Sequence, residues 1–180
     1  MAATIKSVAE MAGVSIKTVS RVINKEGTVK PDTLKRVEEA ITALQNRLEQ
    51  SPENPEGWYL LANTFMSMQN YAAAADGYSN ALKYLPEDAP QYAGVHGQYA
   101  QALFFANNGQ LNDQINAEVE KTLALDPFDV TALGLLGIAA YEAGDYRGAM
   151  AFWRKGLRNA AGDQADSLKS GIRSARDKLV

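Results

Sequence analysis

The sequence contains no cysteine, which excludes disulfides, thiolate nucleophiles and Cys-ligated zinc or iron–sulfur sites. It holds one histidine, His96, set among Gly, Gln and Tyr, and no Ser, Asp or Cys stands in a nucleophile pattern around it. Gly94 and Gly97 flank that histidine without a preceding strand or a P-loop Lys, so they form no phosphate cradle. The acid pairs Glu38/Glu39 and Glu87/Asp88 read as solvated helix faces or turns, and calcium-loop spacing is absent. These gaps predict a protein that is not an enzyme, with no catalytic residue, no cofactor and no metal. No stretch approaches the roughly 18 apolar residues of a membrane helix. The opening MAATIKSVAEMAG also lacks the apolar core of a secretory signal. As written, the chain is expected in the cytoplasm and away from membranes.

Strand signals are scarce too. Val, Ile and Thr thin out after the first 45 residues, and no Asn-Gly or Asp-Gly pair sits between alternating apolar runs. What is present instead is apolar spacing of three and four, punctuated at short intervals by Gly, Pro, Asn and Asp, which predicts an all-α protein. With 46% hydrophobic and 22% charged residues in 180, there is material for a core and for a solvated surface. Charge is uneven: residues 1–44 carry seven Lys or Arg against five Asp or Glu, and residues 45–180 carry eleven against sixteen.

In ATIKSVAEMAGVSIKTVSRVIN, Thr4 is placed to cap a helix bearing Ile5, Val8, Ala9 and Ala12 on one face, and Gly13 to end it with a positive φ. Ser15 then caps a second helix whose inner face is Val19, Val22 and Ile23. Ile16, Lys17, Ser20 and Arg21 are left pointing outward. Two short helices across a Gly corner make a helix-turn-helix. Pro31 suits the first position of a third helix, and Leu34, Val37, Ile41, Leu44 and Leu48 continue it without a breaker to about Gln50. The two halves of the chain are expected to share this helix.

Behind it the sequence repeats itself. Trp58, Leu61, Ala62, Phe65, Tyr71, Ala74, Tyr78 and Ala81 are matched 75 residues later by Leu133, Leu136, Gly137, Ala140, Tyr146, Ala149, Trp153 and Gly156. A stretched middle unit runs from about Tyr92 to Pro127, and DQADSLKSGIRSARDKLV is placed as a terminal capping helix.

The segment SVAEMAGVSIKTVSRVIN followed by VKPDTLKRVEEAI resembles the DNA-binding headpiece of LacI-family repressors, almost continuously from Ile5 to Leu44. The resemblance implies contact with the major groove of double-stranded DNA, Ile16, Lys17 and Arg21 toward base edges and Thr18 and Ser20 toward phosphates. The family's hinge segment is replaced by TALQNRLEQSPENPEGW. Residues 45–180 resemble tetratricopeptide (TPR) repeats, and more narrowly those of bacterial cytochrome c maturation and nitrite reductase assembly. LEQSPENPEGWYLLANTFM, NNGQLNDQINAEVEKTLALDP and GDYRGAMAFWRKGL carry the likeness. That resemblance implies a protein or peptide partner, in the subtype a client's C-terminal peptide, and a periplasmic ancestor. The groove is expected along the first helix of each repeat: Tyr59, Asn63 and Met66, then Gln101 and Phe104, then Ile138 and Tyr141.

The expected architecture is thus a three-helix helix-turn-helix module (1–44) fused through a shared helix to a three-repeat TPR superhelix with a capping helix (45–180). The expected function is sequence-specific DNA binding coupled to a protein-interaction scaffold, whether by natural fusion or engineered chimera. The alternative is a peptide-binding assembly factor of the cytochrome c maturation type whose N-terminal helices do not bind DNA. The operator, the client and the oligomeric state are not legible.

Overall fold

The structure, a computed structural model, describes residues 5–180. Thr4, the expected first cap, lies outside the described residues. Ten α-helices and no strand are found among the described residues. The backbone forms two compact units, Met1–Ala89 and Pro90–Val180, so the sequence boundary at 44/45 falls inside the first of them.

In the first unit, α1 (Ile5–Ala12) ends at Gly13, whose φ of +61° is open to glycine at little cost. The Ser15 hydroxyl accepts the Thr18 N–H and so caps α2 (Ile16–Ile23), which buries Val19, Val22 and Ile23. α3 (Pro31–Gln50) opens on the expected Pro31 and runs unbroken, burying Val37, Ala40, Ile41, Leu44 and Leu48. Its first turn departs from the expected stripe: Leu34 stays 39% exposed, and Ala40 takes an inner position instead. Arg36 donates to the carbonyls of Ala12 and Gly13, placing a cation on the C-terminal end of α1. α3 packs on α1 with its first half and on α4 (Pro55–Ser67) with its second.

α4 and α5 (Tyr71–Tyr84) form an antiparallel hairpin, each begun by an Asn cap, Asn54 to the Gly57 N–H and Asn70 to the Ala73 N–H. Gly77 is the point of closest approach. A Cβ there would come within 2.9 Å of the Ala62 methyl, so a small residue is needed on both helices. Trp58 is buried and its indole N–H donates to the Pro52 carbonyl, 3.0 Å away.

The second unit holds two more hairpins and a closing helix. α6 (Tyr92–Ala106) pairs with α7 (Asp113–Leu125), and α8 (Val130–Glu142) with α9 (Tyr146–Gly156). α10 (Gly162–Asp177) packs chiefly on α9. One core gathers Ala100, Phe104, Ile115, Val119, Ala132 and Leu135, and another gathers Ala149, Met150, Trp153, Leu168 and Ala175. Each large side chain in them is worth roughly 1.5–3 kcal/mol of burial. Trp153 is the wedge of the second core: a Cβ on Gly137 would overlap its indole, and one on Gly171 would sit 3.0 Å from its ring.

Candidate functional site

Between α6, α8 and α10 lies a trough of about 450 Å³. Trp153 forms part of its lining, with its indole N–H donating to the Gly134 carbonyl at 3.2 Å. Gly134 opens it, because a Cβ at that position would meet no atom within 4 Å. Leu135, Ile138 and Leu168 supply apolar wall, while Gln101, Thr131 and Ser167 supply neutral donors and acceptors. The trough continues along α8 and α10 into a second hollow of about 470 Å³, which shares Ile138, Trp153, Ser167 and Gly171 and adds Tyr141, Ser170 and Ser174. The only charged side chains lining either part are carboxylates, Asp163 and Glu142. Such a surface can seat apolar side chains and satisfy a few neutral polar groups, and it offers no cation to an acidic ligand.

Of the residues read from the sequence as groove, Gln101, Ile138 and Tyr141 line this trough. Ile138 is 37% exposed, and the Tyr141 ring meets Tyr146 edge-on at 5.2 Å and Trp153 at 6.0 Å. Phe104 does not line it. It is 1% exposed inside the α6–α7–α8 core, so no ligand reaches it, and the expectation for this residue is corrected. Tyr59, Asn63 and Met66 are half-buried on α4 in the other unit. There the Asn63 side-chain carbonyl accepts the Tyr78 hydroxyl at 2.7 Å, and Tyr59 leans on the Tyr78 ring at 5.9 Å. Burial first, then the neighbouring Tyr59, raises the Tyr78 hydroxyl far above the ordinary phenol range, so it stays a donor.

Sequence reasoning missed what α10 contributes. Ser167, Ser170, Gly171 and Ser174 recur at spacings of three, one and three and give that helix a small, neutral-polar strip beside Trp153. That strip was visible in the sequence as an interruption of the basic face.

The residues expected to read DNA lie on α2 and its corner. Ile16 is 48% exposed and Lys17 is exposed. The other three are engaged locally: the Thr18 hydroxyl lies 2.9 Å from that of Ser15, the Ser20 hydroxyl accepts from the Asn24 amide at 3.4 Å, and Arg21 Nε donates to the Glu26 carbonyl at 3.4 Å.

His96 is buried, its Nδ1 lies 2.6 Å from a Glu118 carboxylate oxygen, and the Tyr92 ring meets it edge-on. Asp129 caps α8 by accepting the Ala132 N–H at 2.7 Å, and burial raises its carboxyl above the usual range against the lowering effect of that bond. Among the described residues no group of three or more His, Asp or Glu is placed to hold a metal ion, and no helix is long and apolar enough to cross a membrane.

Compared with known proteins, residues 14–165 match the family model described as the TPR domain of cytochrome c-type biogenesis protein H. The cytochrome c-type biogenesis protein CycH of Pseudomonas aeruginosa is 34% identical over 146 residues, covering 80% of this chain and 35% of that protein. The formate-dependent nitrite reductase complex subunit NrfG of Escherichia coli O157:H7 is 31% identical over 118 residues, covering 66% of this chain and 58% of its own length. The chain thus spans less than two thirds of either curated relative. Among solved structures, the Sgt2 TPR domain of Aspergillus fumigatus superposes with a TM-score of 0.53 at 24% identity, covering 69% of this chain and 78% of that one, which shows the TPR-like fold.

These findings overturn the expectation of sequence-specific DNA binding. The family match begins at Val14, so α2 and α3, the supposed DNA reader, lie within the stretch aligned to a TPR domain of cytochrome assembly. The relatives carry the alternative reading instead.

Proposed function

Because the chain belongs to the TPR-domain family of cytochrome c-type biogenesis protein H, we propose that it is a peptide-binding assembly factor of the cytochrome maturation type and not an enzyme. On this reading the hairpins α4–α5, α6–α7 and α8–α9 are three TPR repeats, α10 caps the last of them, and α1–α3 form a helical module that does not bind DNA. The client is a c-type cytochrome polypeptide presenting an apolar C-terminal segment.

The observation that carries the proposal is the trough over Trp153, which is lined by apolar and neutral polar side chains and by no cation, with open space at Gly134 for an apolar side chain. An amphipathic client segment laid along α8 and α10 would drop apolar anchors there and meet the serines of α10 with its polar edge. Anchors of this kind dominate peptide affinity, and truncating or blocking one costs 2 kcal/mol or more, which is about thirtyfold.

Gly134→Leu tests it. A Cβ at this position meets no atom within 4 Å, so the added bulk extends into the trough, and replacing a helical glycine favours the helix itself. Titration calorimetry with a C-terminal c-type cytochrome peptide should give measurable affinity for the unaltered protein and at least a thirtyfold loss for Gly134→Leu. Equal affinity for both proteins would remove the trough from the binding surface.

A further inference from the structure

Ionisable residues are sorted along this chain. Residues 45–145 carry three Lys or Arg against thirteen Asp or Glu, whereas residues 146–180 carry eight against three. α9 has no acidic residue at all. Arg147, Arg154 and Arg158 follow at spacings of seven and four, which sets them in one row along α9 and the turn after it. The row faces away from the buried Ala149, Met150, Trp153 and Gly156 and spans about 16 Å at 1.5 Å per residue.

These arginines and Lys155 are exposed, and none of the ion pairs found among the described residues engages them. Lys155 and Arg158 are both drawn over the Phe128 ring, at 5.6 and 4.7 Å from its centre. Two like charges are thereby held at one aromatic ring, and no carboxylate among the described residues is ion-paired to either. The neighbouring α10 adds Arg173, together with Lys169 and Arg176, which are paired with Asp166 and Asp177. None of these side chains lines the trough. Gly148 and Ala151, between the first arginines, raise no bulk that would hold a flat surface away.

Peptides are commonly held in an enclosing groove, and this row lies outside both hollows of the trough. A sheet of spread negative charge needs only exposed cations on an unobstructed face. We propose that the α9 row of Arg147, Arg154, Lys155 and Arg158 docks the protein on an anionic lipid surface. Each cation brought to such a surface strengthens partitioning about fivefold.

The test is co-sedimentation of the full chain with vesicles of equal parts phosphatidylglycerol and phosphatidylcholine, beside vesicles of phosphatidylcholine alone. The unaltered protein should pellet with the anionic vesicles at low ionic strength. It should be released at about 0.5 M salt, where screening acts within a few Å, and should ignore the neutral vesicles. The triple variant Arg147→Gln, Arg154→Gln, Arg158→Gln keeps helix propensity. With an unchanged circular dichroism spectrum, it should bind about a hundredfold more weakly. Gly134→Leu should pellet like the unaltered protein, which separates this surface from the trough. Failure of the unaltered protein to pellet with anionic vesicles, or equal pelleting of the triple variant, overturns the proposal. Binding to polyglutamate without binding to vesicles also overturns it and assigns the row to an acidic protein partner.

Discussion

Trp153 shows how much one side chain organises here. Its ring occupies the space that Gly137 and Gly171 leave empty, its N–H is spent on the Gly134 carbonyl, and it also lines the trough. Gly137→Ala would therefore drive a methyl into the indole. Overpacking of this kind costs about 1–3 kcal/mol, and urea unfolding should show the midpoint falling by that amount, while the neighbouring Gly134→Ala, with open space around it, should be neutral or stabilising. Asp129 offers a pH test. Its folded carboxyl is raised by burial, so the native state binds the proton more tightly than the unfolded chain does. Its contribution to stability is present below the ordinary carboxylate range and is lost as pH rises through the raised value. Asp129→Asn keeps an oxygen to accept the Ala132 N–H but carries no charge. The stability advantage of Asp129→Asn over the unaltered protein should therefore grow as pH is raised from about 3, then level off. A difference that stays flat across that range contradicts the assignment.

At the level of elements, legibility followed periodicity. α3 was readable end to end because Pro31 opens it, Val37, Ile41, Leu44 and Leu48 hold a three-four stripe, and no Gly or Pro interrupts it. Leu44→Ala, at the middle of that stripe and 2% exposed, should cost roughly 2–5 kcal/mol in chemical denaturation. α6 was not readable in the same way. It buries Tyr92, Val95, His96, Gly97, Ala100, Ala102 and Phe104, which lie around most of its circumference, so no single apolar stripe told Phe104 from a groove residue. α2 misled for a further reason. A short helix after a Gly corner with Lys17 and Arg21 outward fits a DNA reader by pattern, yet pattern says nothing of what Thr18, Ser20 and Arg21 do with their own corner. The part that α10 takes in lining the trough escaped because its apolar positions read as a cap and its serines as solvated surface, whereas the side of the helix beside Trp153 depends on tertiary placement.

For the molecule, helix content and the 75-residue repeat could be read directly, since both are properties of spacing. The division at Ala89/Pro90 could not, because it depends on which surfaces meet and not on any break in composition. On the proposed function, the trough between α6, α8 and α10 receives an apolar peptide segment. The most direct test is to titrate the isotope-labelled full chain with a C-terminal c-type cytochrome peptide and map the amide chemical-shift changes. The largest changes are expected at Gly134, Ile138, Ser167 and Gly171 and at the Trp153 indole N–H, with α2 unmoved. Changes centred on α2, or none at saturating peptide, would contradict the proposed function.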